Sequence, residues 1–182
     1  MSILLDLFGS IIIGGLIVLM LVNFNMFQSK TRISSGSELQ LQQNAKTLAD
    51  ILNHDFRKIG YRYNNVAFAQ ADSEKISFYS DIDRNGSIDL VTYMLGDTSE
   101  VSMTTNPGDR ILYRIVNSDT LKGPSLGLTK AKFSYLDEIG AETTILSDIK
   151  YVKAELWIES IEPIDGKYLF TYWEMTINPR NL

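Results

Sequence analysis

The chain has 182 residues, 45% hydrophobic and 21% charged, which suits one folded domain with an appendage and excludes a disordered or collagen-like chain. Its 17 basic and 22 acidic residues give a net charge of −5, which argues against a general nucleic-acid binder, since phosphate binding needs clustered positive charge. With no Cys and one His (His54), disulfides, thiolate or poly-His metal sites, Fe–S clusters and Cys nucleophiles are excluded, and the balance leans towards structure or binding rather than catalysis.

From Ile3 to Phe27 the one charge is Asp6, and the first basic residue is Lys30. Twenty-five residues make a helix of roughly 37 Å at ~1.5 Å per residue, against a hydrocarbon core of ~30 Å. A cleaved secretory signal would want a basic start and a small-residue cleavage site. No base precedes the apolar run, and residues 23–27 offer no such site, so a retained helix is expected. Lys30 and Arg32 alone would place the following residues in the cytoplasm, a bias of two residues that the motifs further along the chain oppose.

Asp6 has two readings. It sits at the headgroup boundary, solvated and supporting the first helical turn, or it pairs with the terminal amine of a neighbouring copy and selects the axial register between subunits. Gly9, Ser10, Gly14 and Gly15 suit close helix approach, Ser10 and Gly14 standing at small-xxx-small spacing.

Residues 34–37, Ser-Ser-Gly-Ser, read as a weak helical stretch and a break, with Ser35/Glu38 or Ser37/Gln40 as a capping box for a new helix. From Glu38 to about Ile59 the apolar residues Leu41, Ala45, Leu48, Leu52, Phe56 and Ile59 recur at spacings of three and four, forming one stripe. The stripe is expected to pack on the protein's own sheet, and Gly60 is the stop. Asp55 and Arg57 stand two apart and cannot face each other. Each either pairs separately, with the sheet or another subunit, or is solvated.

After Gly60 the period becomes two. Strands are expected at Val66–Ala71, Lys75–Ser80, Ile88–Leu95, Arg110–Val116, Lys130–Leu136, Tyr151–Glu159 and Tyr168–Ile177, with loops at Thr98–Asp109 and Ser118–Leu128. In Tyr151–Glu159, Val152, Ala154, Leu156 and Ile158 face one way. Asp165-Gly166 is a type I′ hairpin signal, and Asn85-Gly86 joins another hairpin. Tyr168, Phe170, Tyr172 and Trp173 are expected in core and edge packing, with a recognition surface as the alternative. The fold class is therefore α+β, a long N-terminal helix on an antiparallel sheet with one buried face. Its segments are residues 1–28 (hydrophobic transmembrane helix), 29–60 (amphipathic stalk) and 61–182 (sheet head).

One stretch has the look of a cation loop. Residues 81–89 read D-x-D-x-N-G-x-x-D, placing Asp81, Asp83, Asn85 and Asp89 at oxygen-ligand spacing with Gly86 sixth, as a Ca²⁺ loop requires. The twelfth position is Thr92 rather than Glu, and no helix is expected on either side. The competing reading is a polar hairpin tip, and no other cofactor is implied. There is no G-x-S-x-G, P-loop or dinucleotide fingerprint, and no nucleophile motif accompanies His54, so no catalytic residue and no enzymatic activity are assigned.

Taken in order, these pieces resemble the type IV pilin-like proteins, in particular the PilW/GspJ-type minor pilins and pseudopilins. They begin with the apolar helix carrying one early acid. Leu52-Asn53-His54-Asp55-Phe56-Arg57-Lys58-Ile59-Gly60-Tyr61 lies close to the family's L-x-x-D-[LF]-R-x-x-G-Y. The hairpin at 76–86, Tyr113-Arg114, residues 132–137 with Gly140, and the final Pro179-Arg180-Asn181-Leu182 follow. The resemblance implies a pilin-like fold and a structural subunit of a pilus or pseudopilus filament. Such a subunit waits in the bacterial inner membrane with its head in the periplasm. It is then extracted so that its helix bundles with copies of itself or other pilin-like subunits, ending at the cell surface or in a protein-secretion pseudopilus. The family's Phe-Thr-Leu-x-Glu start after a basic leader is not written in Met1–Phe8. Either the chain is already mature at Met1, or this lineage does without the leader; with Met1 removed, Asp6 stands fifth, where the family places its glutamate. The alternative is a membrane-anchored periplasmic binding or sensor domain that never polymerises.

Overall fold

Helix α1 runs from Ser2 to Phe56 in a computed structural model that describes residues 2–101, 104–124 and 126–182. Met1, and the parts of the two expected loops at Ser102, Met103 and Ser125, lie outside the described residues. The expected break at 34–37 does not occur. A helical Gly costs about 1 kcal/mol and each Ser a few tenths, and a helix already propagating recovers one hydrogen bond per residue.

The chain divides into residues up to 37 and residues 38–182. The reason lies in the apolar stripe. Leu41, Ala45, Leu48, Leu52, Phe56 and Ile59 are all buried, so the second half of the expected stalk belongs to the core. The helix ends at Phe56, three residues before the expected end, and the chain turns through Gly60, whose φ is +76°. A Cβ there would meet the backbone oxygen of Asn181 at 3.0 Å.

Eight strands follow: β1 (Phe68–Ala71), β2 (Lys75–Ser80), β3 (Asp89–Leu95), β4 (Leu112–Val116), β5 (Asp119–Lys122), β6 (Leu128–Leu136), β7 (Tyr151–Glu159) and β8 (Phe170–Ile177). They form two antiparallel sheets rather than one, a meander β1-β2-β3-β4-β5 and a meander β6-β7-β8. Strand β5 lies where a loop was expected; its four side chains are exposed, so no hydrophobic alternation marks it, and it is held by pairing with β4 from Tyr113↔Lys122 to Val116↔Asp119. The Asp165-Gly166 turn has both residues at positive φ, with Ile164 and Lys167 exchanging backbone hydrogen bonds around it, the type I′ pattern.

Phe56 is where helix and sheets meet. Its ring packs edge-on against Phe78 of β2 (5.8 Å), Tyr93 of β3 (5.5 Å) and Phe133 of β6 (5.8 Å), contacts worth about 0.5–1.5 kcal/mol each beyond the area they bury. In β6 a bulge between Leu128 and Lys130 shifts the parity, so that Leu128 and then Ala131, Phe133 and Tyr135 all reach the core. The sheets are tied by Phe133 N–H to Ser73 O (2.7 Å) and Tyr135 O–H to Asp72 O (2.8 Å).

Strand β8 meets the expectation of edge packing, with the Tyr172 ring 5.1 Å from that of Trp157, but not that of core packing. It is the outer strand of its sheet, and Phe170, Tyr172 and Trp173 are exposed, Phe170 at 72%. Trp173 sits opposite Leu156, on the inward parity, yet stays open because no further strand flanks it in that sheet.

Candidate functional site

The N-terminal segment is defined by what its side chains do not touch. Every large apolar side chain described between Ile3 and Phe27 is exposed, from 49% at Val22 to 83% at Ile3. Two of its polar side chains fold back on the helix: Ser10 Oγ donates to Leu7 O (2.9 Å) and Asn25 Nδ2 to Leu21 O (2.9 Å). Such local bonds satisfy polar groups without water. Asp6 is exposed on this segment. A Cβ added at Gly9, Gly14 or Gly15 would meet nothing within 4 Å, so the helix surface is open at each of the small residues singled out from the sequence.

Asp55 is a site that sequence spacing did not assemble. It is 3% exposed, and its partners come from the first sheet. Tyr93 O–H donates to Oδ2 at 2.7 Å and Arg114 Nε to the same oxygen at 2.6 Å, while His54 Nδ1 lies 3.1 Å from Oδ1. Burial pushes the carboxyl up. The hydrogen bonds from Arg114 and Tyr93, the charge of Arg114 and the His54 contact outweigh it and hold the pKa below its ordinary 3.8. Burial and the adjacent Asp55 charge push the Tyr93 phenol well above its ordinary value. A carboxylate so fully engaged is a poor general base; it anchors helix α1 to strands β3 and β4. Arg57 does not share it, and its Nε instead donates to Asn53 Oδ1 (3.0 Å).

The loop between β2 and β3 gathers the candidate cation ligands. Asp81 and Asp89 are buried at its two ends, and Asp83 and Asn85 are exposed at its tip. Asp83 accepts from Asn85 N (3.0 Å) and Asn85 Nδ2 (2.8 Å), and Asn85 Oδ1 accepts from Ser87 N (2.7 Å). Asp89 accepts from Asn117 Nδ2 (2.8 Å) and Ile82 N (3.3 Å). The backbone takes positive φ at Arg84 (66°) and Gly86 (94°), so Asn85-Gly86 lies inside a longer loop and is not a two-residue turn. Thr92, the twelfth position, is in β3 opposite Ser77, with the two hydroxyls 2.8 Å apart.

The described helix from Asp6 to Phe56 is long and apolar enough to cross a membrane. Comparison with protein-family models, curated proteins and solved structures finds no match for this chain.

Proposed function

We propose that this chain is a structural subunit of a type IV pilin-like filament and carries no catalytic chemistry. Residues 3–27 hold it in the bacterial inner membrane, with residues 38–182 in the periplasm, until the helices of many subunits bundle into a filament core. The observation that carries this reading is the exposure of the apolar side chains all round the N-terminal helix. Each leaves about 1.5–3 kcal/mol of burial unclaimed in water, and both lipid and a bundle of like helices supply that burial. Asp6 favours the bundle. In apolar surroundings its carboxylate needs a partner, and the amino terminus of a neighbouring copy provides one. The open faces at Gly9, Gly14 and Gly15 suit close helix approach.

Asp6→Ala separates insertion from assembly. The variant is expected at the wild-type level in the membrane fraction. In material sheared from the cell surface it is expected to fall about 100-fold or more, because breaking a buried ion pair costs about 3–5 kcal/mol. Normal filaments from Asp6→Ala would remove the pairing role. A wild-type chain that never leaves the membrane would instead mark an anchored, non-polymerising binding domain.

A further inference from the structure

We infer that the loop 81–89 is a Ca²⁺ site, whether or not the chain polymerises. One carboxylate oxygen from each of Asp81, Asp83 and Asp89 lies within 4.8 Å of the others. Ca²⁺ binds oxygens at about 2.3–2.6 Å, so oxygens sharing one ion stand no more than about 5 Å apart, and the three are already inside that limit. The second observation concerns Asp81 alone. Its side chain is fully buried, and its Oδ1 has no hydrogen-bond partner. A buried carboxylate oxygen without a donor is costly, and it belongs to the same carboxylate that joins the cluster.

The remaining contacts of the loop leave room for a cation. Asp81 Oδ2 accepts from Arg62 Nη1 (2.9 Å) and Gly86 N (3.1 Å). Arg62 is the one basic side chain bonded to any of the three carboxylates among the described residues, and half of it is in water. Lys58 reaches the loop too, but donates to the Ile82 carbonyl (3.2 Å) rather than to an acid. Three carboxylates thus face one bonded guanidinium, and a divalent ion offsets the excess. The donor set is all oxygen, with no imidazole and no sulfur, which selects a hard cation over zinc or copper. An irregular loop of carboxylates suits Ca²⁺, which tolerates flexible six- to eight-fold coordination, better than Mg²⁺, which demands a near-ideal octahedron. Thr92 supplies no bidentate carboxylate, so the affinity belongs with weak extracellular modules, at a Kd of about 0.1–1 mM.

The test uses the full chain in detergent micelles, treated with chelator and titrated with CaCl2 or MgCl2 while thermal unfolding and binding heat are followed. Asp83 is exposed, so Asp83→Asn is the variant that keeps its fold. Saturable Ca²⁺ binding is expected, with Tm raised by about 3–10 °C at 10 mM Ca²⁺, a smaller rise with Mg²⁺, and at least about a tenfold loss of Ca²⁺ affinity in Asp83→Asn. An unchanged Tm at 10 mM Ca²⁺ would overturn the site. So would an equal rise in wild type and Asp83→Asn.

Discussion

Asp55 shows how much of this molecule is decided by single buried groups. With Arg114 and Tyr93 both bonded to Oδ2, removing either leaves a carboxylate short of partners out of water. Arg114→Gln is expected to destabilise residues 38–182 by about 3 kcal/mol, the low end for a broken buried pair because Arg114 is one-quarter exposed. Tyr93→Phe should cost about 1.5–2 kcal/mol for a hydrogen bond to a charged group. Urea unfolding in micelles measures both. The folded pKa of Asp55 is depressed below 3.8, so its contribution is present above about pH 4 and is lost as pH falls through the lower folded value. Asp55→Asn should therefore be less stable at pH 7 and show a shallower loss of stability between pH 4 and pH 2 than the wild type. Equal slopes would mean that the ion pair contributes nothing. The spacing of Asp55 and Arg57 excluded a pair between them and left each either separately paired or solvated; Asp55 is paired and Arg57 is exposed, but the partners of Asp55 were not readable. Arg114 and Tyr93 are 59 and 38 residues away, and only the sheet topology brings them to the helix.

At the scale of the element, helix α1 contains two physically different stretches. Phe56 is fully buried and touches both sheets, whereas Phe27 is 67% exposed. Phe56→Ala should destabilise the core by about 3–5 kcal/mol; Phe27→Ala should leave its unfolding within about 0.5 kcal/mol of wild type. Comparable losses from both would show that the two stretches are not distinct in energy. The stripe Leu41 to Ile59 and the alternation of Val152, Ala154, Leu156 and Ile158 were legible because one buried face imposes a strict period. Strand β5 was not, since an exposed edge strand is held by backbone bonds that any sequence can make. The Asn117-Ser118 step was the available signal, with Asn117 at φ 55° turning β4 into β5. The aromatic run of β8 was half legible for a related reason: edge packing holds, but on an edge large apolar residues satisfy strand geometry without being covered. The split into two sheets was equally hidden, because alternation marks which face of a strand is buried, not which strands lie side by side.

For the whole molecule, the amino-acid pattern separates an apolar first segment from a folded remainder, and the structure keeps that separation. What the pattern does not contain is the surroundings in which the apolar segment is at rest, because lipid and sister helices offer the same burial to the same side chains. The proposed assembly is decided by where residues 3–27 lie in the working state. Electron microscopy of material sheared from the cell surface, with the chain labelled by a specific antibody and the fibres reconstructed, tests this most directly. Assembly predicts labelled helical fibres in which the first helices pack together at the axis, with Asp6 beside a neighbour's amino end. Label confined to the membrane fraction, with no fibres in the sheared material, would contradict it.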